Sequence, residues 1–324
     1  MKIDKLHIAL IFLACIVAYI LPFELFLFSY VVLGPLHYLT ELAWLHEKKY
    51  FSSSKVELLI IFFCAVVVSI NYIVYRVGID IATLIPSFKS HYSTHFIFLA
   101  WVAAFSSTLL KKWQHKLYLF LFFLLGVYLI RNQFYYLFFI GLLLPTLIHV
   151  FVFTTIFMLL GIRRNNNFWT KICFISFIVC AISFFITPAY LPSHFISKET
   201  EAIYLTSGFE ILNKTLLYIF DGVIFDTNDT KLIFTSSLSI KIQRFVAFAY
   251  TYHYLNWFLK VKVIAWYKID KIRLFVALFL WLISLGIYFY DFKVGILTLY
   301  FLSMLHVFME FPLNIQSIKA LIKR

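Results

Sequence analysis

The chain has 324 residues, of which 63% are apolar, 21% aromatic and only 13% charged, with a formal net charge of +13. Those proportions and a mean hydropathy of +0.92 exclude a water-soluble globular enzyme and leave no room for a soluble catalytic domain of ordinary size. The positive excess does not indicate nucleic-acid binding, because Lys and Arg stand singly or in pairs between apolar runs and form no continuous basic stripe.

A bilayer-crossing helix needs about 20 apolar residues. The 40 Phe and 21 Tyr set against 9 Gly and 7 Pro favour long unbroken helices over a barrel of short alternating strands. The expected fold is all-α: a polytopic integral-membrane helical bundle. In chain order, apolar runs between charge clusters predict about ten spans, at 6–21, 25–45, 57–77, 92–110, 116–130, 134–160, 168–190, 242–259, 272–290 and 293–311. The count falls to about nine if the turn at Pro22 to Glu24 or the break at Arg131 to Gln133 does not separate two spans. The first run has the charged start of a signal peptide but no small-residue cleavage pattern, so it is expected to be a retained span.

Charge between the spans sets the orientation. With the N-terminus in the cytoplasm, Lys48, Lys49, Lys111, Lys112, Arg163, Arg164, Lys260, Lys262, Lys268 and Lys271 fall inside. Arg76, Lys89, Arg131 and Lys293 fall outside, with the charges of one long loop. Both termini are therefore expected to be cytoplasmic. The spans form one membrane domain in three stretches: 1–190, an extracytoplasmic loop at 191–241, and 242–324 with a short cytoplasmic tail. The loop is expected to carry interfacial amphipathic helices within 199–220. It also contains sequons at Asn213 and Asn228, and Asp221, Asp226 and Asp229, which lack the spacing of a calcium loop. Cys15, Cys64, Cys173 and Cys180 lie in apolar runs without metal-type pairing and read as small buried hydrophobes.

Ionisable groups inside a membrane are costly, so each is a functional candidate whose partner has to be found. His37, His149, His253 and His306 fall in spans that all run from outside to inside. At about 1.5 Å per residue, their distances from the inner ends of those spans differ by no more than about 9 Å. They are expected to share one layer in the inner half of the membrane. Glu41 follows His37 by four residues, Glu310 follows His306 by four, and Asn256 follows His253 by three, so each pair lies on one helical face. In a metal site Glu41 and Glu310 complete the ligand set or orient the rings and serve the chemistry, and Asn256 supports His253 from behind. Imidazole with carboxylate suits iron, and also zinc, manganese or copper. The same residues suit a proton relay, bis-His haem ligation or hydrogen-bonded helix bridging. His7, His46, His91, His95, His115 and His194 lie near span ends or in loops and read as interfacial, Asn71 as a bridge to a neighbouring helix, and Glu24 as a solvated turn residue.

Gly34-x-x-His37-x-x-x-Glu41 resembles the first motif of the membrane-bound bacterial and archaeal carotene-cleaving oxygenases, the Brp/Blh family, where a glycine precedes a histidine followed by an acidic residue. The resemblance implies an all-helical fold in which histidines from several helices hold a non-haem iron and oxygen cleaves the central double bond of β-carotene to retinal. It makes His37 an iron ligand and His149 and His253 looser candidates for that role. The acidic residue here follows His37 by four positions where the family has three, and the late helix carries His306-x-x-x-Glu310 where the family has paired histidines.

The expected function is an integral-membrane metalloenzyme, a non-haem iron dioxygenase or related oxidoreductase holding one or two ions. Its partners are membrane lipid and an apolar small molecule such as a carotenoid or fatty chain, with no nucleic acid, and its expected location is a bacterial inner membrane. The alternatives are a proton-coupled transporter or channel using the same His and Glu residues, and a structural membrane subunit.

Overall fold

The computed structural model describes residues 2–47, 54–78, 92–189, 196–224, 230–259 and 270–322. Helices make up most of these residues, with no strand among them. The helices are α1 (Lys2–Ile20), α2 (Pro22–Phe28), α3 (Gly34–Glu47), α4 (Lys55–Val77), α5 (Tyr92–Leu109), α6 (Trp113–Ile130), α7 (Phe134–Tyr136), α8 (Thr154–Arg164) and α9 (Phe168–Ile186). They continue as α10 (Lys198–Thr206), α11 (Glu210–Asp221), α12 (Lys231–Thr235), α13 (Ser237–Leu259), α14 (Lys271–Tyr290) and α15 (Phe292–Ile322). Two π-helical stretches, Ser29–Leu33 and Leu137–Phe153, join α2 to α3 and α7 to α8 without a break.

Among the described residues seven helices are long and apolar enough to cross a membrane: Pro22–Glu47, Lys55–Val77, Trp113–Ile130, Phe134–Arg164, Phe168–Ile186, Lys271–Tyr290 and Phe292–Ile322. The protein therefore has the character of a membrane protein, and seven of the expected spans fall on these helices. Helices of 19, 18 and 23 residues, α1, α5 and α13, occupy the other three expected positions.

The chain divides into two compact units. The first comprises Met1–His37, Phe157–Ala265 and Leu282–Ile296. Its centre is α13, which packs against α1, α2, α9, α11 and α12 and buries Ser239, Gln243, Arg244, Thr251, His253 and Asn256 along with its apolar residues. So polar a helix is tolerated inside because other helices surround it and supply hydrogen-bond partners. Ser29 and Thr251 hydroxyls pair at 2.7 Å, and His7 Nδ1 lies 3.2 Å from the Tyr252 hydroxyl. His7 is thus a buried partner of α13, where an interfacial residue was expected. On α9, Ser183 and Thr187 meet Tyr19 at 2.9 and 3.0 Å, and Trp169 lies under the Lys5 ammonium, so α1 and α9 run parallel.

The segment expected to carry interfacial helices packs one face against the rest of the first unit and leaves Ile211, Tyr218 and Phe220 exposed. Asn167 caps α9 and Ser197 caps α10, each accepting a backbone N–H. Helix α11 buries Leu212, Leu216 and Leu217 and ends at Gly222, whose φ of 66° is left-handed. Tyr204, 1% exposed, directs its hydroxyl at Asn213 Oδ1 (2.9 Å) and Gln243 Oε1 (2.7 Å). Asn213 is fully buried and donates to Ser239 Oγ, so its sequon cannot receive a glycan in this fold. Asn228, Asp226, Asp229, His91 and His194 lie outside the described residues. Glu24 is not solvated as expected, because both of its carboxylate oxygens are buried.

The second unit comprises Tyr38–Ile156, Trp266–Trp281 and Leu297–Arg324. In it α4 and α5 are antiparallel, with Asn71 donating to Ser93 Oγ at one end and Ser106 donating to Glu57 at the other (3.2 Å). Lys116 at the start of α6 closes on the same Glu57 carboxylate. Gly141 lets the long π-helical stretch approach α5, since a Cβ there would run into Thr94. Tyr38, Leu39 and Ala277 form a small core with Trp281 and Leu302.

Candidate metal centre

Each unit places part of the expected histidine set, and each placement has a local cause. In the first unit the chain leaves the π-helical stretch Ser29–Leu33 at Gly34 and Pro35 and presents His37 two residues later. Pro35 offers no backbone N–H, which suits the changed hydrogen-bond register of the π turn before it. Gly34 lies against the Tyr254 hydroxyl, and a Cβ there would be 3.4 Å from it. His37 is 1% exposed and His253, on α13, is 5% exposed. Their Nε2 atoms are 3.2 Å apart and their rings meet edge to face at 73°. Trp257 and Tyr254 lie against the His37 ring with centroids at 5.5 and 5.1 Å.

Two nitrogens bound at about 2.0–2.1 Å to one ion, with about 90–109° between them, stand about 2.9–3.4 Å apart. The His37–His253 spacing has that value. It is also the spacing of a neutral pair sharing one N–H···N hydrogen bond, in which one ring donates and the other accepts. Asn256, three residues beyond His253 on α13, is buried as well.

In the second unit His149 sits inside the π-helical stretch Leu137–Phe153, four residues after Pro145. The Thr146 hydroxyl donates back to the Leu142 carbonyl in the same turn, satisfying an acceptor where the helix is widened. His149 Nδ1 lies 3.1 Å from Glu310 Oε2, with both side chains at most 3% exposed. The contact is within ion-pair range but outside the angles of an aligned hydrogen bond. The His306 ring is 5.2 Å from that of His149 and stacks on Tyr38 at 5.6 Å. Glu310 follows His306 by one turn of α15, so one helix brings a ring and a carboxylate to His149 from the same face. Glu41 is 1% exposed on α3, one turn beyond His37.

A carboxylate buried this deeply costs on the order of several kcal/mol unless a cation or a set of donors compensates it. His37, Glu41, His149, His253 and His306 are all buried groups of the kind that can hold a metal ion. The donor set is imidazole and carboxylate. The four cysteines are buried and form no disulfide, and none joins it among the described residues.

No family model, curated protein or solved structure matches this chain.

Sequence reasoning missed three features of these surroundings. Tyr38 is the stacking partner of His306, and its position beside His37 was the available signal. Tyr254 and Trp257 wall the His37 ring, although only their neighbour Asn256 was singled out. The buried Glu57 with its Lys116 and Ser106 partners lies at a span end, where a charge reads as solvated.

Proposed function

We propose that the chain is an integral-membrane metalloenzyme, a non-haem iron oxygenase acting on a lipid-like or isoprenoid substrate. The observation that carries this reading is the burial of paired ligand-type groups in so apolar a helical chain: His37 with His253, and His149 with Glu310 and His306. His37, His149, His253 and His306 are the metal ligands, serving one or two ions. Glu41 and Glu310 complete the ligand sets or fix the rings that carry them, and Asn256 contributes from behind His253. Bound iron supplies the activation of oxygen. The protein's own part is to hold the rings: Glu310 restrains His149 through Nδ1, Tyr38 stacks on His306, and Trp257 and Tyr254 confine His37. Those aromatic walls keep water from the polar groups and give an apolar chain a surface to lie on.

The resemblance of Gly34-x-x-His37-x-x-x-Glu41 to the Brp/Blh motif supports an isoprenoid substrate. About ten spans with both termini cytoplasmic and a bacterial inner membrane complete the proposal, on the positive-inside pattern. Plasma mass spectrometry on detergent-purified protein tests it, beside His149→Ala and His306→Ala. The expected result is about one or two equivalents of iron in the wild type and none in either well-folded variant. Wild-type protein without metal after iron-supplemented growth refutes it.

A second reading, a proton-coupled transporter, is favoured by the His149–Glu310 contact, since a buried imidazole and carboxylate in contact can pass a proton. It requires pH-driven flux in liposomes that Glu310→Gln abolishes, from protein that holds no metal.

A further inference from the structure

The polar face of α15 does not end at Glu310. At about 100° per residue, His306, Glu310, Asn314 and Ser317 fall within an arc of about 80°. Their exposures are 4%, 2%, 0% and 6%. The helix carries this face past residue 311, where the apolar run ends in the sequence, to Ile322. Asn314 differs from its neighbours on that face. Among the described residues, both its Oδ1 and its Nδ2 are buried without a hydrogen-bond partner. A primary amide stripped of water on both sides destabilises a fold, and Leu, of similar size, would sit there at no such cost. A side chain of this kind in a native interior calls for a partner beyond the described side chains, and a bound molecule can supply one.

We propose that Asn314 binds the polar end of the lipid-like substrate, which is therefore an amphipathic chain ending in a neutral hydroxyl rather than a pure hydrocarbon. This deepens the oxygenase reading and rests on it. An amide presents donors and an acceptor side by side, which matches a hydroxyl, itself donor and acceptor. An anionic end is disfavoured because Glu310 lies one turn away, about 6 Å along the axis. His306 lies about 12 Å along the axis from Asn314, so the chain reacts about 6–12 Å from its hydroxyl. β-Carotene, a hydrocarbon, offers Asn314 nothing, so the substrate class departs here from the one the Brp/Blh resemblance implies.

The test uses full-length protein in detergent, wild type and Asn314→Leu, with oleyl alcohol and 1-octadecene as probes and thermal melting and metal content as readouts. Without probe, Asn314→Leu is expected to melt higher than the wild type and to retain the same metal. Oleyl alcohol is expected to raise the wild-type midpoint and to bind Asn314→Leu about tenfold more weakly or worse. Octadecene should not distinguish the two proteins. A variant that melts lower or does not fold would mean that the amide was already satisfied, and would overturn the proposal. Equal stabilisation of both proteins by the alcohol would overturn it as well. Wild-type protein free of metal but with the alcohol preference intact would sink the metalloenzyme reading and leave the hydroxyl site standing.

Discussion

Replacing Glu310 by Gln removes one charge and almost no volume, and its effect follows from where the carboxylate sits. Oε2 is 3.1 Å from His149 Nδ1, and the two side chains are 2% and 3% exposed, so water cannot replace the lost interaction. A hydrogen bond or close polar contact to a charged group contributes about 1.5–3 kcal/mol. A carboxylate that orients a metal-bound imidazole is worth about 10–100-fold in metal affinity, the same range at about 1.4 kcal/mol per decade. The expected result is that Glu310→Gln folds, keeps its helix content and releases iron at a chelator concentration about 10–100 times lower than the wild type requires. The assay is a chelator titration of the metal-loaded protein followed by elemental analysis, with melting recorded on the same samples. Unchanged metal retention in a folded variant would refute the reasoning, because the contact would then have no bearing on ligation.

Three further outcomes are expected. Lys116→Met strands Glu57, which is 4% exposed; removing one partner of a buried pair costs about 3–5 kcal/mol, and the 22% exposure of Lys116 lowers this to about 2–3 kcal/mol. Adding Glu57→Gln should recover most of the loss in a denaturation double-mutant cycle, and no recovery would mean the pair contributes nothing. Gly141→Val forces a side chain into Thr94 and should lower stability by about 1–3 kcal/mol, with Thr94→Ala restoring most of it in the same melting assay. The Tyr204 phenol is held well above its usual pKa of 10.0, chiefly by burial and then by Glu210 and Tyr250. A raised folded-state value means its stabilising contribution is complete below about pH 10 and is lost as pH rises further. Hydrogen exchange in α10 and α11 should therefore accelerate above about pH 10 in the wild type, and less so in Tyr204→Phe, which starts about 1–3 kcal/mol less stable.

The α10–α12 segment and the histidines show two different limits of a one-dimensional reading. In α11 the apolar positions Leu212, Leu216 and Leu217 mark an amphipathic helix, and the helix is there. What they cannot mark is whether that face meets lipid or protein, because both are apolar. Tyr204, Asn213 and Gln243 decided it, through hydrogen bonds between residues up to 39 positions apart. The same holds for α13, expected as a span at 242–259: hydropathy marks the segment, but that other helices surround Gln243, Arg244 and His253 is seen only in the packing. For the site, residue type and the i, i+4 spacing of His306 and Glu310 were legible in advance. The azimuth of each helix was not, nor the π-helical widening that carries His149.

The sequence by itself determined the all-helical, membrane-type character of the protein and the burial of His37, Glu41, His149, His253, His306 and Glu310, though not that of His7, Glu24 and Glu57. Both follow from local quantities, namely hydropathy summed over a span and charge counted between spans. Tertiary structure alone decided the partners: His253 facing His37 at 3.2 Å, Glu310 on His149 at 3.1 Å, Tyr38 on His306, and Asn314 buried without a partner among the described residues. Each pairing depends on how far one helix is rotated and shifted against another. That balance of packing and polar satisfaction is set by residues hundreds of positions apart and leaves no periodic trace in either segment.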